Sequence, residues 1–131
     1  MKKLVFVIGA LLIFSSFAQV SSLKGNWQYA GGVSNGKFYA APDGFSQQRK
    51  YTKDKFEAFL LEKGQKPVKY EAGSYTLKSD SCFETQTYSL EPSVLTGKLI
   101  RYRCTIKNDT LFLKGKLPNG IEVVDYWKKV K

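Results

Sequence analysis

The sequence predicts an all-β domain of eight antiparallel strands with short connections, arranged as a sandwich or as a barrel. Three observations lead there. Apolar and polar residues alternate with period two far more than with period 3.6. Turn-forming residues interrupt that alternation at short intervals. No segment has the apolar stripe of a strongly amphipathic helix.

The strands are expected at residues 25–29, 46–51, 55–61, 70–77, 81–89, 99–107, 110–116 and 121–129. The clearest run is residues 99–107, where Ile100, Tyr102, Cys104 and Ile106 share one face and Arg101, Arg103, Thr105 and Lys107 the other. Asn108-Asp109 follows as a two-residue link suited to a tight hairpin. Asn108-Asp109-Thr110 also matches a glycosylation sequon, but its place between two strands reads better as a turn. Pro118-Asn119-Gly120 leads into the last strand, with glycine at a positive-φ position. Lys53-Asp54, residues 62–67 and Ser79-Asp80 supply the earlier breaks. Residues 31–44, rich in glycine and small residues, are expected to form the one long loop of the first half, and residues 90–97 allow a single helical turn after Pro92.

Residues 1–18 have the pattern of a signal peptide. Lys2 and Lys3 precede an apolar run from Leu4 to Phe14, and Ser16-Phe17-Ala18 puts small residues at a cleavage site before Gln19. The run is shorter than the roughly 20 apolar residues of a membrane-spanning helix, so no integral membrane segment is expected after cleavage. Residues 19–131 then form one secreted or periplasmic domain. The formal net charge of the 131-residue chain is +10. Nucleic acid is not an expected partner, because export separates the chain from it and the lysines are scattered instead of clustered. They read mainly as solvated surface, with an anion- or membrane-facing patch as the lesser reading.

The 131 residues include no histidine, which excludes Ser-His-Asp and Cys-His catalytic centres and histidine-ligated zinc. Two cysteines cannot build a zinc or iron–sulfur site. No metal, cofactor or catalytic residue is expected. Two interior carboxylates in so small a domain offer no extended cleft for a glycosidase pair.

Gly25-Asn26-Trp27 resembles the G-x-W signature at the first strand of lipocalins. The chain is further similar to the lipocalin-like (calycin-type) domains of small exported proteins from Bacteroidetes-type bacteria, a largely uncharacterised family. The similarity runs through residues 51–56, Gly73-Ser74-Tyr75-Thr76-Leu77, Glu84-Thr85, Tyr88, Pro92-Ser93, Gly97-Lys98, residues 108–111 and the closing Tyr126-Trp127-Lys128-Lys129-Val130-Lys131. It implies an eight-stranded antiparallel up-and-down barrel without the C-terminal helix of true lipocalins. It also implies a barrel floor where a basic residue stacks on Trp27. Lys129 stands where the family has arginine; it can make a cation–π contact but not the planar stacking of guanidinium. Cys82 stands where the family often has an aromatic residue.

Cys82 and Cys104 fall on consecutive strands. A register with 82 facing 104 puts them on one face, and an oxidising compartment favours a disulfide contributing roughly 3 kcal/mol; two buried thiols are the alternative. Trp27, Tyr75 and Trp127 read as core or floor residues. A candidate cavity is formed by Phe59, Tyr75, Ile100 and Tyr102, with Glu84 and Asp125 as inward carboxylates and Gln86 as a polar partner. Phe38, Tyr39 and Phe45, in or beside residues 31–44, are candidates for a cover at the mouth opposite Trp27. The expected function is binding of a small apolar or amphipathic molecule by a monomeric barrel. The alternative is a solid barrel that contacts a protein, a glycan or the envelope surface.

Overall fold

The computed structural model describes residues 20–131. The expected signal peptide and its cleavage point lie outside the described residues. The described residues form nine strands: β1 (Gly25–Ser34), β2 (Lys37–Ala40), β3 (Ser46–Tyr51), β4 (Lys55–Leu61), β5 (Val68–Lys78), β6 (Ser81–Ser89), β7 (Leu99–Lys107), β8 (Thr110–Lys116) and β9 (Glu122–Lys129). Each pairs antiparallel with its neighbour in one sheet of order β2-β1-β3-β4-β5-β6-β7-β8-β9, and β1 also pairs with β9. That last pairing closes the sheet into a barrel and leaves no long free edge.

The barrel has eight staves, not nine, because β2 and β3 share one. The first half of β1 pairs with β3, Gly25 against Tyr51 to Gln28 against Gln48. Its second half pairs with β2, Gly31 against Ala40 to Ser34 against Lys37. The expected loop over residues 31–44 is therefore corrected to a hairpin followed by a short excursion. Asn35 and Gly36 form its two-residue turn with φ of 51° and 84°, the left-handed geometry that Asn-Gly adopts most readily. Asn108 and Asp109 also both have positive φ, 52° and 57°, and form the tight β7–β8 turn that the sequence predicts.

Parity along the strands separates the two faces. Trp27, Tyr51, Phe56, Tyr75, Tyr102, Cys104, Leu111, Leu113 and Trp127 point inward into one core. At one end Leu23, wholly buried before β1, accepts a hydrogen bond through its carbonyl from Trp27 Nε1 at 2.9 Å. Lys129 lies opposite Trp27 in the ladder, with Nζ 4.6 Å from the indole centroid, and donates to the Lys24 carbonyl at 2.9 Å. This end is sealed. At the other end lie the Asn35-Gly36 turn and residues 62–67, 90–98 and 117–121, which connect the strands there.

Three bulges interrupt the ladders. One lies between Tyr29 and Gly31 against β9, one between Ala58 and Phe59 against β5, and one between Ala72 and Gly73 against β6. In the second, Tyr70 is the extra residue of β5, since Ala58 faces Glu71 and Phe59 faces Lys69. A bulge re-aims side chains. Here it brings consecutive residues, Tyr70 and Glu71, to the same interior space.

The expected disulfide is corrected. Cys82 faces Tyr102, not Cys104, because the β6–β7 register is two residues away from the one that would pair the cysteines. Cys104 instead faces Leu113 on β8, and its amide donates to the Asp80 carbonyl at 2.7 Å. Diagonal positions of this kind have Cα atoms roughly 7–8 Å apart, beyond the usual span of a disulfide. Both cysteines are free and buried. Burial, reinforced by Glu84 for Cys82 and by Asp80 for Cys104, raises both thiols, Cys104 to about 11, so they stay protonated.

Replacing Trp27 by alanine is expected to cost about 3–5 kcal/mol of unfolding free energy in urea. A variant as stable as the parent would show that the Leu23–Trp27–Lys129 floor contributes nothing.

Candidate functional site

The middle of the barrel holds a buried charge cluster centred on Arg49. β3 reads Ser-Gln-Gln-Arg-Lys-Tyr, and the parity that turns Tyr51 inward turns Arg49 inward too. Its Nη2 lies 3.1 Å from Glu84 Oε1 and 3.3 Å from Glu71 Oε1. Nη1 donates to Tyr51 Oη at 2.7 Å and to Glu84 Oε2 at 3.3 Å, so the Glu84 pair is bidentate. Tyr51 donates onward to Glu84 Oε2 at 2.8 Å, and Gln86 Nε2 to Glu71 Oε2 at 2.7 Å. Thr96 Oγ1 donates to Gln86 Oε1 at 2.7 Å, which ties the 90–98 connection to the network.

The guanidinium also lies among aromatic rings, 4.4 Å from the Phe56 centroid and 5.5 Å from Trp127. Burial opposes its charge, but the Glu84 carboxylate and then Tyr51 and Glu71 outweigh that effect and hold Arg49 protonated. Among the described residues, Arg49 Nε and Trp127 Nε1 are buried donors without partners.

Above this cluster the barrel is hollow. A cavity of about 310 Å³ is bounded by Arg49, Glu71, Tyr70, Tyr102, Tyr29, Trp127 and Asp125, with Gln47, Leu113, Val123, Leu95 and Leu117 completing the wall. Leu95 and Leu117 come from the 90–98 and 117–121 connections, so the opening is at the end away from Lys129. Two inward glycines create room for the larger groups. A Cβ on Gly115 would sit 2.7 Å from the Tyr102 ring. One on Gly32 would sit 2.8 Å from Tyr29 Oη and 2.9 Å from Asp125 Oδ1. Those two oxygens thus converge on the same glycine.

Asp125 makes no hydrogen bond or ion pair among the described residues. Its burial raises the carboxyl to about 6, against the pull of Arg49 in the opposite direction. Burial likewise raises Tyr29, Tyr70 and Tyr102, with Tyr70 at about 12, so these phenols remain protonated donors in the wall.

The residues read from the sequence divide into three groups. Tyr102 and Asp125 line the cavity, while Glu84 and Gln86 lie in the network at its base. Tyr75 and Ile100 are buried core residues that do not reach it; Tyr75 instead donates to the Thr52 carbonyl near the sealed end. Phe59 is corrected to the outside. It faces Gln48, and both lie on the outer surface, because Phe56 and Ala58 occupy the inward positions of β4.

The proposed cover is corrected as well. Phe38, Tyr39 and Phe45 are 61%, 48% and 40% exposed, and none borders the cavity. Pairing of β2 to β1 holds Phe38 and Tyr39 on the stave, so the mouth is edged by Leu95 and Leu117 instead. Arg49 is not among the residues read from the sequence. Its signal was its shared parity with Tyr51.

Fold and site together define a closed antiparallel β-barrel, filled at one end and hollow with a charged base at the other. No family model matches the chain, and no curated protein matches it. Among solved structures it is similar to an asparagine-to-alanine variant of the fluorescent protein UnaG, at 12% identity over 83% of this chain and 96% of that one, with a TM-score of 0.42. Among the described residues no His, Cys, Asp or Glu group has the arrangement to hold a metal ion, and no helix is long and apolar enough to cross a membrane.

Two outcomes are expected from this geometry. Arg49→Met should cost about 3–5 kcal/mol, because it leaves buried carboxylates unpaired, while adding Glu84→Leu should restore most of the loss. Denaturant titrations of both variants check this; an undamaged single variant would contradict it. Asp125 has a folded-state carboxyl near 6, above its ordinary value of 3.8. Its stabilising contribution is therefore complete below pH 4 and lost as pH rises through 6. Relative to Asp125→Asn, the parent should lose on the order of 2–3 kcal/mol across that window, and parallel stability curves for the two proteins would contradict it.

Proposed function

We propose that this protein is an exported barrel that holds a small amphipathic molecule in its interior. The hollow upper half is the observation that carries this reading. Its volume of about 310 Å³ is at the low end of the roughly 300–1,000 Å³ typical of small-molecule sites. Space of that size suits a ligand of ten or so heavy atoms. The wall supports the same reading, with aromatic and aliphatic side chains interrupted by a few convergent polar groups, Asp125 and the tyrosine hydroxyls. Eight staves give an interior just wide enough for one small ligand.

The signal-peptide pattern of residues 1–18 supports a secreted or periplasmic location. The resemblance to lipocalin-like exported domains is in keeping with both proposals. A solid barrel that works only through its exterior would need side chains filling the space between Asp125 and Glu71. Val68, Leu90, Val94 and Leu99 are exposed apolar residues on or beside the connections at the open end.

Uptake of a fluorescent apolar probe tests the reading. The parent should bind one equivalent saturably. Val123→Phe, which fills the cavity, should weaken uptake at least about tenfold by overlapping the site. Phe38→Ser, on the exposed hairpin, should leave it unchanged. Absence of saturable uptake by the parent, or uptake indifferent to Val123→Phe, would overturn the proposal.

A further inference from the structure

We infer that the cavity selects amphipathic amines, with Asp125 receiving the ammonium group, and rejects carboxylates of the same size. This rests on the interior-binding reading above and adds the chemistry of the ligand's polar end. Among the described residues, Arg49 is the one cationic side chain in the cavity wall. Both of its terminal nitrogens are already occupied by Glu84, Glu71 and Tyr51, and its Nε, though without a hydrogen-bond partner, is buried out of reach of an incoming group. An incoming carboxylate thus finds no free cation. It meets Asp125, and beyond it Glu71, in a space where like charges repel strongly.

An ammonium group meets the opposite situation. The Asp125 carboxylate is in the wall, unpaired among the described residues, and next to Tyr29 Oη where both close on Gly32. The indole of Trp127 and the ring of Tyr29, packed edge to face at 5.2 Å, border the same space. Aromatic faces attract a desolvated cation. An aliphatic body would then lie along Leu113, Val123 and Leu117 toward the opening. The surface lysines that make the chain +10 do not cancel this preference, since exposed charges are screened over about 8 Å at physiological salt.

The preference should depend on pH. The titratable and charged groups around Asp125 are Tyr29 on β1, Arg49 on β3, Tyr70 and Glu71 on β5, Glu84 on β6 and Tyr102 on β7; β8 contributes Leu113 opposite it. Burial holds the carboxyl near 6 in the absence of ligand. An ammonium ligand therefore binds best above that pH, and below it must displace a proton.

Octylamine, octan-1-ol and octanoate share one chain and differ at the polar end. Their dissociation constants for the purified protein can be measured by calorimetry at pH 7.5 and pH 5. At pH 7.5 octylamine should bind at least about tenfold more tightly than octanol, and octanoate more weakly than either. At pH 5 the amine should lose about tenfold in affinity, following the protonated fraction of Asp125. Asp125→Asn should cut the amine-to-alcohol preference to about threefold or less at pH 7.5. The pH comparison uses the unaltered protein and does not depend on that variant folding. Octanol or octanoate binding as tightly as octylamine would overturn the inference and leave the interior-binding reading standing. If none of the three binds, both fall.

Discussion

Arg49 is a full positive charge in the interior of a small barrel, and much of the architecture follows from keeping it there. Removing a guanidinium from water costs several kcal/mol, which only close and well-oriented anions offset. Glu84 supplies a bidentate partner from β6 and Glu71 a second contact from β5, with Tyr51 bridging on β3. β3 is thereby held in one alignment with the distant β5–β6 hairpin. A slip of β3 by one residue would turn Gln48 inward and Arg49 to solvent, leaving Glu84 buried without its partner. Such a pair adds little net stability over an apolar filling of the same volume. Its consequence is that alternative registers carry a heavy penalty.

The cluster also divides the interior. Between it and the sealed end the space is taken by Trp27, Tyr51, Phe56, Tyr75 and Leu111, and Leu23 and Lys129 close the floor. On the open side, glycines replace bulky residues at Gly32 and Gly115, and the Tyr70 bulge turns a phenol and a carboxylate into the same space. Polar groups around a small volume, with few large apolar side chains to fill it, leave a cavity. Since the terminal nitrogens of Arg49 are committed to the carboxylates beneath, the cavity faces its base with a neutralised cation and its wall with an unpaired Asp125. A strongly basic protein therefore presents an interior of opposite character to its surface.

Much of the fold is legible along the chain. Period-two alternation marks seven of the nine strands to within a few residues, and β1 by its first half; β2 alone is missing. The Asn108-Asp109 turn follows from backbone chemistry that acts within two residues. Parity on β6, β7 and β9 turns Glu84, Tyr102 and Asp125 inward, and the alternation is cleanest on β7. The Asn35-Gly36 turn carries an equally local signal. It was hidden by the small and exposed residues around it, which give β2 no apolar face to read.

What the sequence determined by itself is whatever depends on near neighbours: strand identity, turn chemistry, the inward or outward face where polar and apolar residues alternate cleanly, and the absence of histidine chemistry. The tertiary structure decided what depends on strand alignment and on volume. On β4, Phe56-Ala58 and Phe59-Leu61 are two apolar sets of opposite parity, and only packing against β3 and β5 sends Phe59 outside. On β3 every residue but Tyr51 is polar, so Arg49 shows its place only when Glu84 and Glu71 come within reach of it. The two cysteines share a face by parity, yet a two-residue offset between β6 and β7 keeps them apart as thiols. Side-chain period repeats every two residues, so periodicity cannot distinguish registers that differ by two. Long-range packing and the pairing of buried charge can.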